Sequence, residues 1–189
     1  MFFLVVTLSA SYAYIGAAIK FLDDVHDHNW FFRGRTPICW SLALSTAILS
    51  GIWMAIDTYS AALALALIIS LSLTWKVDNR YFVTISILAL LVAFLLGFHL
   101  IFLLPALITL VVLIPTFALD EILHALPNPT HHGFTRWLLH RRPLAKIMVV
   151  VLSCYFLFTF HHTLAFWSFD IAYDLVGFLG TRRCFGTTS

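Results

Sequence analysis

The chain has 189 residues, 61% of them hydrophobic and only 11% charged, with a mean hydropathy of +0.96. Soluble domains average about 25% charged residues, so this chain is composed for lipid rather than water. A formal net charge of +2, with few Lys and Arg confined to short loops, excludes a nucleic-acid-binding role.

These properties predict an all-α, polytopic transmembrane helix bundle of six or seven helices. It forms a single domain over residues 1–189, with an interfacial loop at 119–143. A spanning helix needs about 20 apolar residues, and residues 2–22 supply the first. They lack a basic leader region and run straight into charged sequence, so they read as a retained transmembrane helix rather than a signal peptide.

That helix ends in IKFLDDVHDHNW (19–30). Asp23, Asp24 and Asp27 follow Lys20 at offsets of three, four and seven, which on a helix puts all four on one face. Residues 37–75 are long enough for two spans and break at Asp57-Thr58. Residues 81–118 repeat that pattern and break at Gly97-Phe98-His99. The loop 119–143 carries Pro127, Pro129, Pro143 and a basic cluster. A sixth span is expected from about Leu144 to Ala165, with a shorter final segment over 166–181. Cys39, Cys154 and Cys184 match no metal-ligand spacing and read as small hydrophobes.

Threading the chain through these spans sorts its charges. Lys20, Arg33, Arg35, Lys76, Arg80, Arg136, Arg141, Arg142 and Lys146 fall on one side, and the opposite turns hold Asp57 and His99 with no Lys or Arg. By the positive-inside rule the basic side is cytoplasmic, with the N-terminus across the membrane. The loop HHGFTRWLLHRRP is expected to lie along the surface against anionic headgroups. The same threading gathers the acids: the Asp cluster of helix one, KVDNR (76–80) and DEILH (120–124) all meet the basic face. Six of the nine carboxylates lie in these three stretches.

Three aspartates on one face repel one another and need a compensating cation. Lys20 supplies part of it, and Mg²⁺ held by one or two carboxylates together with substrate phosphates is suited to supply the rest. An ion-pair network and a proton or cation pathway are the alternative uses of the same acids. Asp170 and Asp174, four apart near the chain's end, form a second acidic pair, for which His161 or His162 is a plausible structural partner.

DDVHD followed by RGRTP resembles the first aspartate-rich motif of the UbiA-type intramembrane prenyltransferases and terpene cyclases, and FDIAYD (169–174) is similar to their second. The resemblance covers about thirty residues. It implies that Asp23, Asp24 and Asp27 bind metal, that Arg33 or Arg35 binds phosphate, and that Asp170 and Asp174 form the second cluster. The family has about nine helices, more than this chain can hold.

The resulting expectation is a small membrane enzyme acting on a phosphorylated or pyrophosphorylated, isoprenoid lipid at an Asp-rich, Mg²⁺-dependent site on the cytoplasmic face. Asp78, Asp120 and Glu121 join the metal site. Lys20, Arg33, Arg35, Lys76 and Arg80 meet the phosphates, and Tyr12 and Tyr14 offer aromatic faces to an allylic cation. Asp24 and Asp27 act in catalysis, with His124, oriented by Asp120, as proton acceptor. A structural subunit of a larger membrane complex is the competing class, and a cation or proton conductor the third. Oligomeric and complex partners are not legible in the residues.

Overall fold

The computed structural model describes residues 2–27, 35–74, 79–97, 104–125, 143–155 and 159–185, without the side chains of 35, 124, 125 and 181–185. Among the described residues every regular element is helical, seven in all. They are α1 (Phe2–Asp27), α2 (Arg35–Ile56), α3 (Thr58–Leu73), α4 (Arg80–Leu95), α5 (Leu104–Ala125), α6 (Pro143–Cys154) and α7 (Phe160–Phe185). Three segments, Phe2–Asp27, Thr36–Ile56 and Leu104–Leu123, are long and apolar enough to cross a membrane. Helices α3, α4 and α6 are apolar but shorter, at 16, 16 and 12 residues.

The breaks have local causes. Asp57 ends α2 and caps α3, its Oδ2 accepting the Ser60 N–H at 2.6 Å, which satisfies one of the orphan donors of the first turn. Asn79 caps α4, with Oδ1 accepting from the Tyr81 N–H at 2.9 Å. Gly97 follows the last turn of α4 at φ +92°, a left-handed conformation that glycine adopts without a Cβ penalty.

Helix packing is set by small residues. Ala43, Ala47 and Gly51 recur every four positions on α2; Ala43 and Ala47 pack in one cluster with Tyr81 and Ile85 of α4, and Gly51 abuts Ala89 and Val92 further along that helix. A Cβ on Gly51 would lie 2.7 Å from the Ala89 carbonyl oxygen. Small residues let helix backbones approach closely where apolar burial alone does not drive association. Large apolar side chains, among them Phe94, Val111, Ile147 and Ile171, point outward instead.

Helices α1 and α7 make the most extensive contact of the fold, and they run parallel. Gly16 abuts Phe169, and one turn on Lys20 abuts Tyr173 and Gly177. The two ends of the bundle are therefore distinct. One end carries Asp57 and His162, where α3 and α7 begin. The other carries Lys20, Asp23, Asp27 and Glu121.

Two expectations are corrected here. The span expected over 144–165 is two helices: α6 stops at Cys154 and α7 starts at Phe160 in the reverse direction. Asp170 and Asp174 consequently lie on a helix returning toward the charged end, and not toward the Asp57 end. The first residues of the expected loop 119–143 are helical as well, because α5 continues to Ala125.

Candidate functional site

Helix α1 extends to Asp27, so the acidic cluster is helical and its spacing acts as the arithmetic requires. The Lys20 Nζ lies 2.9 Å from Asp24 Oδ1, four residues on, and 3.7 Å from Asp23 Oδ2. It also sits 5.3 Å above the Tyr173 ring of α7, a cation–π contact. Gly177 leaves room for the lysine stem, since a Cβ there would come within 2.9 Å of Lys20 Cε. Asp24 is buried with that ammonium, whereas Asp23 and Asp27 face a cavity.

That cavity, of about 390 Å³, is the polar vestibule of the molecule. Lys20, Asp23 and Asp27 line it from α1, Asn79 from the start of α4, Glu121 from α5 and Tyr173 from α7. Motifs far apart in sequence are thus brought to one chamber. The Asn79 side chain also donates to the Leu22 carbonyl at 3.5 Å, tying the start of α4 to the end of α1. Among the described residues the chamber wall carries three carboxylates, Asp23, Asp27 and Glu121, and one ammonium, Lys20.

Below the vestibule a narrower apolar slot of about 90 Å³ runs into the bundle. Ile19, Leu67, Phe82, Ile85 and Phe169 belong to the walls of both, so the two spaces adjoin. The far part of the slot is lined by Tyr12, Trp53 and Met54. Phe117, Phe166 and Phe169 form a stacked ladder along one wall, with ring centroids 5.9 and 6.4 Å apart.

Other expected site residues sit elsewhere. Asp120 does not face the chamber as a metal ligand. Its Oδ1 and Oδ2 accept the backbone N–H groups of Leu144 and Ala145 at 3.2 and 2.7 Å, capping α6, whose first residue is the donor-less Pro143. The side chain of His124, expected to be oriented by Asp120, lies outside the described residues. Arg80 is exposed and stacks over the neighbouring Tyr81 ring at 5.0 Å, donating to its hydroxyl at 3.2 Å. Tyr14 is exposed and hydrogen-bonded to Ser45 at 2.6 Å, so it lines neither space, while Tyr12 is deep in the slot. Arg33, Lys76 and Asp78, and the side chain of Arg35, lie outside the described residues.

The second acidic pair is resolved differently from the expectation. Asp170 Oδ2 is 2.7 Å from Lys146 Nζ of α6, and Asp174 is exposed. His162 instead bonds Asp57 through Nε2 at 2.6 Å and Thr159 through Nδ1. Burial works to raise the pKa of Asp57, but the hydrogen bond and charge of His162 and the Ser60 contacts outweigh it and hold the carboxyl below its usual range.

Sequence reasoning missed Asn79, Phe82 and Phe169 as chamber walls. The signal for Asn79 and Phe82 was positional, since both lie within a turn of the charged start of α4, and Phe169 directly precedes Asp170. Among the described residues no three His, Cys, Asp or Glu side chains stand close enough to hold a metal between them. Compared with protein-family models, curated proteins and solved structures, the chain matches none.

Proposed function

We propose that the protein is a polytopic membrane enzyme acting on a phosphorylated or pyrophosphorylated lipid. The head would lie in the vestibule and the tail in the slot. One observation carries this reading: a charged chamber walled by five helices adjoins an apolar slot, with five residues shared between their walls. That is the shape of an amphiphile, polar at one end and apolar along its length.

The vestibule's charge says what must accompany a phosphate. Asp23, Asp27 and Glu121 would repel it, and Lys20 is already paired. A divalent cation resolves the conflict. No three of these acids converge on one point, but Mg²⁺ needs only one or two carboxylates beside waters and substrate phosphates, and Asp23 and Asp27, four apart on α1, would supply them. When bound, Mg²⁺ supplies charge neutralisation at a leaving phosphate or diphosphate. Lys20, fixed by Asp24 and the Tyr173 ring, adds a positioned donor. The isoprenoid class of the tail rests on the likeness of DDVHD and FDIAYD to the aspartate motifs of UbiA-type enzymes, and the aromatic ladder suits such a tail.

In this reading all seven helices lie in the bilayer, the short ones accommodated by local thinning. The charged end faces the cytoplasm, as the one-sided Lys and Arg distribution directs. Calorimetric titration of the purified protein with farnesyl diphosphate, with and without Mg²⁺, tests the proposal. Saturable, Mg²⁺-dependent binding that is lost in Asp27→Asn supports it. Metal-independent binding that survives Asp27→Asn and Asp23→Asn would assign the acids to structure, as would no binding at all.

A further inference from the structure

At the end of the bundle away from the vestibule, side chains from two corners of the chain converge. Asp57 sits at the α2–α3 junction, and Thr159, His161 and His162 open α7. His162 is buried and its ring is held from both sides. Nε2 lies 2.6 Å from Asp57 Oδ2, and Nδ1 meets Thr159 Oγ1. His161 Nε2 stands 3.2 Å from the same hydroxyl oxygen. The Tyr59 ring packs beside His162, with ring centroids 5.4 Å apart.

The donors and acceptors fix where the protons lie. Asp57 Oδ2 also accepts the Ser60 N–H at 2.6 Å, so the carboxylate is an acceptor and His162 Nε2 carries the hydrogen. In a neutral imidazole the other nitrogen then accepts, and the Thr159 hydroxyl donates to Nδ1. The His161 Nε2–H donates to Thr159 Oγ1 in turn. A residue at the start of a helix ordinarily turns its side-chain oxygen to a backbone N–H of the first turn. Thr159 caps α7 through its carbonyl, which accepts from the His162 and Thr163 N–H groups at 3.0 and 3.4 Å. Its hydroxyl is given to the two imidazoles.

A carboxylate orienting an imidazole that accepts from a hydroxyl is the arrangement that activates an oxygen nucleophile. Thr159 is half-buried. Ile56, just before Asp57, and Phe160, just after Thr159, are 67% and 69% exposed, so the hydroxyl lies at an apolar rim suited to a lipid chain. We infer that Asp57, His162 and Thr159 form a second site, one that transfers acyl groups from carboxylic esters of lipids. Thr159 Oγ1 bonds to the ester carbonyl carbon as its proton passes to His162 Nδ1, and Asp57 stabilises the imidazolium. The bond from that carbon to the alcohol oxygen then breaks, and His162 returns the proton to the departing alkoxide. Water, deprotonated by His162, releases the acyl group as a carboxylic acid and restores the Thr159 hydroxyl. None of this depends on the amphiphile reading of the vestibule.

Treating the full chain in detergent with a dodecyl fluorophosphonate tests the inference, because its phosphorus bonds to an activated hydroxyl as fluoride leaves. Peptide mass spectrometry locates the adduct. The expected result is an adduct on Thr159, kept in Thr159→Ser. It should form at least about a hundredfold more slowly in His162→Gln and Asp57→Asn, the lower end of what a positioned general base contributes. A cluster that merely clasps the two corners together would leave wild-type Thr159 unlabelled. That result, or labelling only at other residues, overturns the inference without requiring any variant to fold. Labelling of Thr159 in His162→Gln at the wild-type rate overturns it as well.

Discussion

Replacing Gly16 by alanine probes the contact on which the vestibule depends. A Cβ at Gly16 would stand 2.3 Å from the Phe169 carbonyl oxygen and about 3 Å from its C and Cα. Ordinary contact begins near 3.4 Å, and the obstacle is helix backbone, which cannot rotate aside. Helices α1 and α7 must therefore separate by about 1 Å. A radial gap of that size forfeits roughly a quarter to a half of each dispersion contact along the interface, and overpacking of this kind costs about 1–3 kcal/mol. Alanine's better helix propensity returns about 1 kcal/mol, leaving a net loss centred on about 1 kcal/mol. Equilibrium unfolding in detergent measures it as a shift of roughly fivefold in the unfolding constant. Gly177→Ala is the control. Its Cβ meets the flexible end of Lys20 rather than backbone, so it should change stability by less than about 1 kcal/mol while disturbing the lysine's contact with Tyr173. A Gly16→Ala protein as stable as the wild type would refute the close crossing, and with it the geometry assigned to Lys20.

Four further outcomes follow from the structure. Asp27→Asn should leave thermal stability within about 0.5 kcal/mol of the wild type yet abolish Mg²⁺-dependent ligand binding, read by calorimetry; Asp24→Asn should destabilise the fold by removing the closer carboxylate from half-buried Lys20. Asp120→Ala should cost about 0.5–2 kcal/mol through loss of the α6 cap, seen in chemical unfolding, without changing metal dependence. The Asp57 carboxyl is held below its ordinary value of 3.8 in the folded protein, so its contribution is complete above that pH and is lost as pH falls through the lower folded value. Stability measured against pH should accordingly show a wild-type advantage over Asp57→Asn that is flat from pH 7 to 5 and shrinks only below about pH 4.

What the residues revealed in advance was whatever depended on local spacing. The Lys20–Asp24 pair follows from an offset of four, the α2–α3 break from Asp57, and the end of α4 from Gly97. Convergence of the helix-one acids with DEILH and KVDNR required only counting spans, and Glu121 and Asn79 do line the chamber of Asp23 and Asp27. What stayed hidden depended on partners remote in sequence. Asp120 looked like a ligand because its true partners, two backbone N–H groups, lie 24 and 25 residues away. The turn between α6 and α7 was invisible because residues 144–165 contain neither Gly nor Pro, so apolar sequence alone gave no reason to stop. With that turn missed, Asp170 was offered a histidine on its own helix eight or more residues distant, when Lys146 on the preceding helix was within reach.

The partnership of α1 with α7 has a consequence for how the chain closes. Two helices separated in sequence by five others make the most extensive contact of the fold, so a long loop must be closed before that contact repays its entropy. Until Phe169 and Tyr173 reach it, the face bearing Gly16 and Lys20 stands without its principal neighbour, and the lysine's nearby counter-charges are Asp23 and Asp24, one turn further on. The vestibule, walled by both helices, is complete only once that long-range contact is made.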